Sequence, residues 1–496
     1  MSVKYQFAAF LLSSFMGACV ANVAHAAAPH AQPKGLTVAV ASAPRTLNPA
    51  TTTDAAGARL LQLTHPALLR WSQNYQPEGL LAQGCSQPQP TRVECTLRSG
   101  QTFLDGAPLT ATAVAAWYKT LQANPLSPFA QLKDVSVTAP TATQLVLQLP
   151  SPTLGFAGIL TEIPIANPQN PAIGAGPYQF VAHDTLGAVT LATSRTDLPA
   201  TLTFTPLSDA TTRLIKLKKG EVDIVYNDVA PQLVDWAKHQ GFAVQSVPGT
   251  SYSYLGLNLQ HPQLKNPLVR EAMALALNRA AIRKYVLGDM AEPASTLLPP
   301  GHPAAFNAPE EPFAPFDAEN LLDEADLMRG PDNLRFRITL LTSTDPFSQR
   351  VSQVIQQQLE KVGIGVTLRP TEWASFYDTV KKGNFDMVML AWTGELPPSF
   401  YHQAFHSTQV PPVGLNRGRL NDPQTDMLTH SILSAPTVQA QTVATLATQQ
   451  YLAKVRPYLP LYRRHQILIT KPTVTGCTVP PSGAYTGLLS CRTVAP

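Results

Sequence analysis

The amino-acid sequence predicts an α/β protein with more than one domain. At 496 residues, the chain is longer than a single hydrophobic core ordinarily supports. Within residues 336–391, short segments in which apolar residues alternate are separated by segments in which they recur about every four positions. The first spacing is typical of strands and the second of helices, so their alternation predicts a parallel sheet covered by helices.

Elements in the first half of the chain can be located from their ends. Residues 36–41 (LTVAVA) are predicted to form an apolar strand, and Asp54 is a suitable cap for the helix that follows. Residues 80–98 are predicted to form a hairpin. Thr110 caps a second helix, whose apolar face is expected to pack into a core.

Helix boundaries in the second half are also well marked. Asn266 is a helix cap, Pro267 suits the first helical position and Gly288 is a terminator, so one helix is predicted over residues 267–288. A further helix is predicted over residues 345–363, between two of the alternating strands.

The N-terminal segment has the organisation of a secretory signal peptide. Lys4 precedes an apolar run over residues 7–20, and Ala24-His25-Ala26 supplies the small residues of a cleavage site. The run is too short for a transmembrane helix, which needs about 20 apolar residues. Residues 16–19 (MGAC) also resemble a weak lipobox, which would place a lipid on Cys19. We favour cleavage after residue 26, because lipoboxes usually have Leu where this chain has Met.

Four cysteines lie beyond the predicted signal peptide, in two close pairs. Exported proteins meet oxidising conditions in which disulfides persist, so proximity in the sequence predicts the bonds Cys85–Cys95 and Cys477–Cys491. Four free buried thiols are the alternative. A zinc site is disfavoured, because the spacing is wrong and no His accompanies either pair.

Composition and motifs argue against two classes of function. The formal net charge is only +4 and no basic tract is present, so nucleic-acid binding is unsupported. The sequence contains no GxSxG, HExxH, CxxC or P-loop motif, and we therefore predict that the protein is not an enzyme. A secreted hydrolase stays as a remote alternative.

Several segments resemble one family of exported proteins. Residues 95–121 (CTLRSGQTFLDGAPLTATAVAAWYKTL), 171–180 (PAIGAGPYQF) and 298–303 (LPPGHP) are similar, in order and spacing, to segments of the family-5 extracellular solute-binding proteins. These proteins are the receptors of bacterial ABC importers. The resemblance extends over roughly residues 36–472.

The resemblance implies a two-lobed periplasmic-binding-protein fold of the α/β class, with an extra inserted subdomain and a ligand cleft between the lobes. The chain is expected to cross between lobes at residues 250–258 and to return within residues 457–472. The implied division is a signal peptide at 1–26, lobe 1 at 34–50, 185–257 and 460–496, a small subdomain of lobe 1 at 51–184, and lobe 2 at 258–459.

The resemblance also implies a transport function. The expected protein is a monomer of the Gram-negative periplasm that captures short peptides or amine-bearing solutes by hinge closure. It would deliver them to an inner-membrane ABC permease, and no cofactor is implied. A receptor for a metal–chelator complex or other small solute, and an exported chaperone or sensor that keeps the fold, are the alternatives.

A predicted strand over residues 385–391 ends at the segment that should hold the ligand. Ligands of open α/β sheets bind beyond the carboxyl ends of the strands. Family peptide receptors have an acidic residue three positions after a Trp, and it pairs with the ligand's α-ammonium group. Here the Trp is Trp392 and the acidic residue is Glu395, where the family has Asp. A solvated loop glutamate is the alternative interpretation of Glu395.

Further site residues are implied by motif position. Thr53, Asp54 and Ala55 would form one edge, and Trp392, Thr393 and Gly394 the other, of a site that binds the peptide backbone as an added strand. Phe129 replaces a family aromatic that lines the cleft, with packing in the small subdomain as its competing role. Met389 stands where some oligopeptide receptors have a basic residue that faces the ligand's carboxylate. His402 and His406 have the spacing of a metal pair on a helix and are weak candidates for metal ligands.

Overall fold

A computed structural model describes residues 35–494 of the protein, apart from positions 289 and 395 and the side chains of Ala130 and Ala374. The predicted signal peptide, with Cys19, and Glu395 therefore lie outside the described residues. The described chain forms two large sheets, which define the first and the second lobe, and a smaller antiparallel subdomain.

The first lobe is built on a seven-stranded mixed sheet. Leu36–Val40 lies near its centre and pairs in parallel with both neighbouring strands, Thr201–Pro206 and Ile224–Tyr226. In order across the sheet, the strands are Gln179–His183, Val189–Ala192, Thr201–Pro206, Leu36–Val40, Ile224–Tyr226, Gln466–Thr470 and Ala243–Val247. The helices of this lobe are Ala55–Thr64, Ala210–Lys219 and Pro231–His239. The predicted caps Asp54 and Thr110 both accept a hydrogen bond from the first turn of their helices.

The small subdomain is a four-stranded antiparallel sheet covered by one helix. Its strands, in order, are Ala82–Gln89, Arg92–Leu97, Gln144–Gln148 and Ser136–Thr138. The helix Ala111–Ala123 buries Trp117, whose indole N–H donates to the Pro164 carbonyl at 2.7 Å. The remaining elements are the strand pairs Leu69–Trp71 with Pro77–Gly79 and Ala166–Asn167 with Asn170–Gly174, and the 3₁₀ helices Ala130–Leu132 and Phe156–Thr161.

The second lobe is built on a six-stranded sheet with parallel strands at one side. In order, its strands are Ala291–Glu292, Tyr458–Arg464, Tyr252–Leu257, Met387–Trp392, Phe336–Ser343 and Ile364–Thr371. The last three are parallel, as the alternation of strands and helices predicts. The longer helices are Pro267–Leu275, Pro315–Glu324, Pro346–Lys361, Trp373–Lys382, Phe400–Phe405, Pro423–Leu433 and Val438–Val455.

The prediction of one helix over residues 267–288 is wrong. The structure has Pro267–Leu275, a short turn Arg279–Ala281 and a π-helix Ile282–Val286. Arg279 donates to the Ala274 and Leu277 carbonyls, and Asn278 caps the next turn. Because these side chains occupy the groups that a continuous helix would use, the helix ends and restarts.

Two disulfides are present, as predicted from proximity. Cys85 and Cys95 lie opposite each other in the hairpin of the small subdomain and are bonded. Cys477 is bonded to Cys491 and closes the C-terminal segment, which contains Tyr485–Ser490 and the short strand pair Val474–Thr475 with Arg492–Thr493.

The chain crosses between the two lobes twice, through residues 248–251 and through His465, and we call these two segments the hinge. Arg463 holds them together by donating to the Thr250 carbonyl at 2.6 Å and to the carbonyls of residues 296–298. The sheets take in two strands that the implied domain division assigns elsewhere. Gln179–His183 belongs to the seven-stranded sheet and Tyr252–Leu257 to the six-stranded sheet.

Candidate ligand-binding cleft

The carboxyl ends of the parallel strands in the second lobe face the first lobe. Arg464, next to the hinge, lies 4.3 Å above the ring of Phe347, just beyond the end of Phe336–Ser343. The same arginine pairs with Asp228 of the first lobe at 3.2 Å. Trp392 ends the neighbouring strand at this edge, so it lies where a ligand between the lobes would be bound.

Trp392 is the centre of a buried aromatic cluster. Tyr254 stacks on it with the ring centroids 6.1 Å apart, and Phe400 meets its edge at 4.8 Å. Tyr458 stacks in turn on Tyr254 at 4.0 Å. The Trp392 indole N–H is enclosed and has no hydrogen-bond partner among the described residues. A buried donor without a partner is costly, which makes this N–H a candidate contact for a ligand.

Arg417 lies against the same cluster, and the sequence analysis did not identify it. Its guanidinium carbon is 4.0 Å from the Trp392 ring centre, which is the geometry of a cation–π contact. The guanidinium donates to the Tyr254 hydroxyl at 3.5 Å and to the Tyr377 hydroxyl at 3.3 Å. Met389, the position considered for a basic residue, lies on the opposite face of the strand, next to Ser352.

The loop after Trp392 contains the other predicted residues of this edge. Thr393 is exposed, and Gly394 has φ of 88°, a conformation that favours glycine. The loop continues to Pro397, which meets the small subdomain. Glu395 lies outside the described residues, so its role as an ammonium partner stays a prediction.

The small subdomain forms the opposite wall at the 3₁₀ helix Phe156–Thr161. A Cβ on Gly158 would lie 3.0 Å from the Trp71 ring and 3.2 Å from Pro397, so the two walls touch here. The adjoining Leu154 N–H donates to the Leu433 carbonyl of the second lobe at 3.2 Å. The subdomain therefore closes one side of the cleft.

Glu162 follows this 3₁₀ helix directly and is a second residue that the sequence analysis missed. Its side chain is exposed, yet desolvation by the surrounding protein raises its pKa to about 7. Both properties are expected of a residue on the wall of a cleft, which is open to water but enclosed by protein. Among the described residues, the Glu162 carboxylate forms no ion pair and accepts no hydrogen bond. In the sequence, Glu162 could have been recognised as an isolated acidic residue in the apolar segment ILTEIPI.

The other predicted residues have local contacts that account for them without a ligand. The Asp54 carboxylate accepts from the Gly57 N–H at 2.8 Å and the Arg45 N–H at 3.3 Å, while Thr53 and Ala55 are exposed. Phe129 packs against the core of the small subdomain, which is its competing role. A ligand role for these four residues stays a prediction.

His402 and His406 lie side by side, with ring centroids 4.3 Å apart. The Nδ1 of His402 is enclosed without a hydrogen-bond partner in the described chain, and burial lowers the pKa of His402 to about 4. His406 Nδ1 accepts from the Thr408 N–H at 3.2 Å. Within the residues that the structure covers, no group of three or more His, Cys, Asp or Glu side chains is placed to hold a metal ion.

Comparison with known proteins identifies the family. The model of the "Bacterial extracellular solute-binding proteins, family 5 Middle" matches residues 76–411. The chain belongs to this family of solute-binding proteins, and the resemblance and two-lobed fold predicted from the sequence are confirmed.

Two curated relatives and one solved structure give the range of similarity. The chain is 26% identical to the glutathione-binding protein GsiB of Salmonella paratyphi A, over 93% of this chain and 95% of that protein. It is 28% identical to a probable di/tripeptide-binding protein 5 of Pseudomonas aeruginosa, over 68% of this chain and 66% of that one. The oligopeptide-binding protein AppA of Bacillus subtilis, in complex with a nonapeptide, superimposes with a TM-score of 0.81 at 20% identity. That superposition covers 94% of this chain and 100% of AppA.

None of the helices within residues 35–494, leaving aside the two undescribed positions, combines the length and apolar character of a membrane span.

Proposed function

We propose that this protein is the periplasmic receptor of an ABC importer and that its ligands are short peptides or other solutes with a free amino group. Curated relatives bind glutathione and, as a probable function, di- and tripeptides, and both ligand classes carry an α-ammonium group. The ligand would lie between the Trp392 loop and the small subdomain. Closure at the hinge would bury it, and the closed form would dock on the permease.

The observation that carries this proposal is the unpaired carboxylate of Glu162. A carboxylate that is partly desolvated and has no partner binds a cation strongly, because the cation restores the interactions lost from water. Glu162 directly follows the 3₁₀ helix that contains Gly158, which lies close to Pro397, and this supports a role for Glu162 on the wall opposite Trp392. Glu395 is the second candidate for the same role, from the other wall.

Isothermal titration calorimetry with Ala-Ala-Ala and N-acetyl-Ala-Ala-Ala tests the requirement for an amino group. We expect the mature protein to bind the free peptide at least about tenfold more tightly than the acetylated one, the usual size of a hydrogen-bonded charge pair. Glu162→Gln should remove most of that preference. Glu395→Gln is the parallel variant, with a predicted loss of about 2 kcal/mol or more if Glu395 holds the ammonium group.

Glu94→Gln is the matched control, because Glu94 is an exposed subdomain acid paired with Arg92 at 2.6 Å. It should bind both peptides as the wild type does. Equal affinity of the wild type for the free and acetylated peptides would contradict the amine requirement. Native mass spectrometry of protein purified without denaturation would then identify the solute that the cleft retains.

A further inference from the structure

We infer that Arg417 forms a carboxylate-binding subsite beneath Trp392, so that the ligand is a zwitterion whose carboxylate binds the second lobe. This inference rests on the proposed function, since it specifies the chemistry of the same cleft. The buried arginines of the protein differ in the kind of group to which they donate hydrogen bonds.

Five arginines are buried in the described part of the chain: Arg213, Arg270, Arg279, Arg417 and Arg463. Four of them donate to main-chain carbonyls, as Arg463 does at the hinge and Arg270 does to the carbonyls of Val455, Leu264 and Lys265. Such arginines tie segments of the chain together. Among the described residues, Arg417 donates to no main-chain carbonyl, and its two hydrogen bonds go to the phenol oxygens of Tyr254 and Tyr377.

Those two bonds are weak for a buried cation. They span 3.5 Å and 3.3 Å, whereas charge-assisted hydrogen bonds are usually about 2.7–2.9 Å long. Among the residues that the structure describes, no carboxylate lies within ion-pair distance of the guanidinium. Arg417 is only 7% exposed, so water supplies little compensation. A buried cation in these surroundings is expected to bind an anion.

The polar groups around Arg417 can donate hydrogen bonds to an anion. The Trp392 indole N–H and the Tyr458 hydroxyl are both enclosed without a hydrogen-bond partner among the described residues. Trp392 and Tyr254 are polar neighbours of the Tyr458 hydroxyl, and Arg417 acts on it electrostatically. A planar carboxylate can accept two parallel bonds from a guanidinium and a further bond from an indole or phenol.

The loop that carries Arg417 is anchored on one side and borders a partly exposed aromatic pair on the other. The neighbouring Asn416 amide donates to the carbonyls of His406 and Leu420, so the loop that carries Arg417 is anchored. On the other side, Tyr377 is half-buried and stacks on Trp373, which is 45% exposed. In the proposed subsite, the ligand carboxylate replaces the Tyr377 hydroxyl as a partner of the guanidinium.

The test compares Ala-Ala-Ala with its C-terminal amide by calorimetry. We expect the wild type to bind the free acid about tenfold or more tightly than the amide, the effect of a charge-assisted bond pair. Arg417→Met should lose this preference, so that the acid and the amide bind with similar affinity. Arg419→Met is the control on the same loop, because Arg419 donates to the Lys382 carbonyl, and it should keep the preference.

A structural role alone would lower the affinity for acid and amide equally in Arg417→Met, and that result would overturn the inference. If the wild type does not bind Ala-Ala-Ala, the peptide part of the proposed function fails, and sodium acetate tests the subsite separately. We then expect acetate to raise the Tm of the wild type more than that of Arg417→Met. An equal rise in the two proteins would overturn the subsite on its own.

Discussion

Buried charged groups at the hinge and in the candidate cleft differ in their hydrogen-bond partners. At the hinge, Arg463 is 2% exposed and donates to four main-chain carbonyls. In the candidate cleft, Arg417 is 7% exposed and donates to two hydroxyls beside its contact with the Trp392 ring, and the Glu162 carboxylate has no hydrogen bond or ion pair among the described residues. The hydrogen bonds of Arg463 hold segments of the chain together, whereas the proposed function uses Arg417 and Glu162 to bind a ligand.

The same contrast extends to the rest of the hinge. His465 contacts the Ser246 hydroxyl of the first lobe at 2.9 Å and the Glu292 carboxylate of the second at 3.0 Å. Arg464 bridges the lobes through Asp228. These contacts connect the two lobes at the hinge, about which the proposed closure around a ligand would occur.

The largest expected effect is a difference in the free energy of unfolding between variants of Arg463 and Arg417. Arg463→Met should lower the free energy of unfolding by about 3 kcal/mol or more, since it leaves several buried carbonyls without a donor. Arg417→Met should cost clearly less, because no main-chain carbonyl depends on it. Urea denaturation followed by circular dichroism measures both. Equal losses would show that Arg417 is a structural residue like Arg463.

The second prediction concerns the pH dependence of ligand binding, which follows the charge of Glu162. With its pKa raised to about 7, the carboxylate loses its charge as the pH falls through that value. Binding of Ala-Ala-Ala should therefore weaken about eightfold between pH 7.5 and pH 6, in proportion to the ionised fraction. Glu162→Gln should be insensitive to pH over this interval, which calorimetry at the two values can check. An unchanged pH profile in the variant would assign the titration to another group.

The smallest effect concerns the backbone of the loop after Trp392. Gly394→Ala should cost about 1 kcal/mol, because Ala is disfavoured at φ of 88° although nothing lies within 4 Å of the added methyl group. Gly84→Ala is the control, since its surroundings are equally open and its φ is not positive. If both variants melt alike, the loop is not held in this conformation in the absence of a ligand.

The position of the candidate cleft was easier to predict from the sequence than the residues that line it. Trp392 and Gly394 were found because a buried strand ends there, and ends of parallel strands meet at one edge of a sheet. Arg417 was missed because it lies in a long loop, where no periodicity marks which side chains turn inward. Glu162 was missed because its neighbours are apolar and its enclosure comes from another part of the chain.

The helix predicted over residues 267–288 shows the same limit inside one element. Its caps at Asn266 and Gly288 mark the two ends correctly as boundaries of helical structure. The interruption depends on Arg279, whose guanidinium reaches the Pro460 carbonyl of a strand far along the chain at 2.6 Å. Propensity describes neighbours in sequence, and it contains no information on such a partner.

By itself, the sequence determined the fold class, the family, the disulfide pairs and the edge at which a ligand should bind. Each of these follows from local spacing: alternation of apolar residues, helix caps, the order of motifs and the proximity of cysteines. Only the tertiary structure decided which charges are satisfied. The main-chain partners of Arg463, the phenol partners of Arg417 and the absence of a partner for the Glu162 carboxylate among the described residues all depend on segments that are distant in sequence, and burial is a property of the assembled fold.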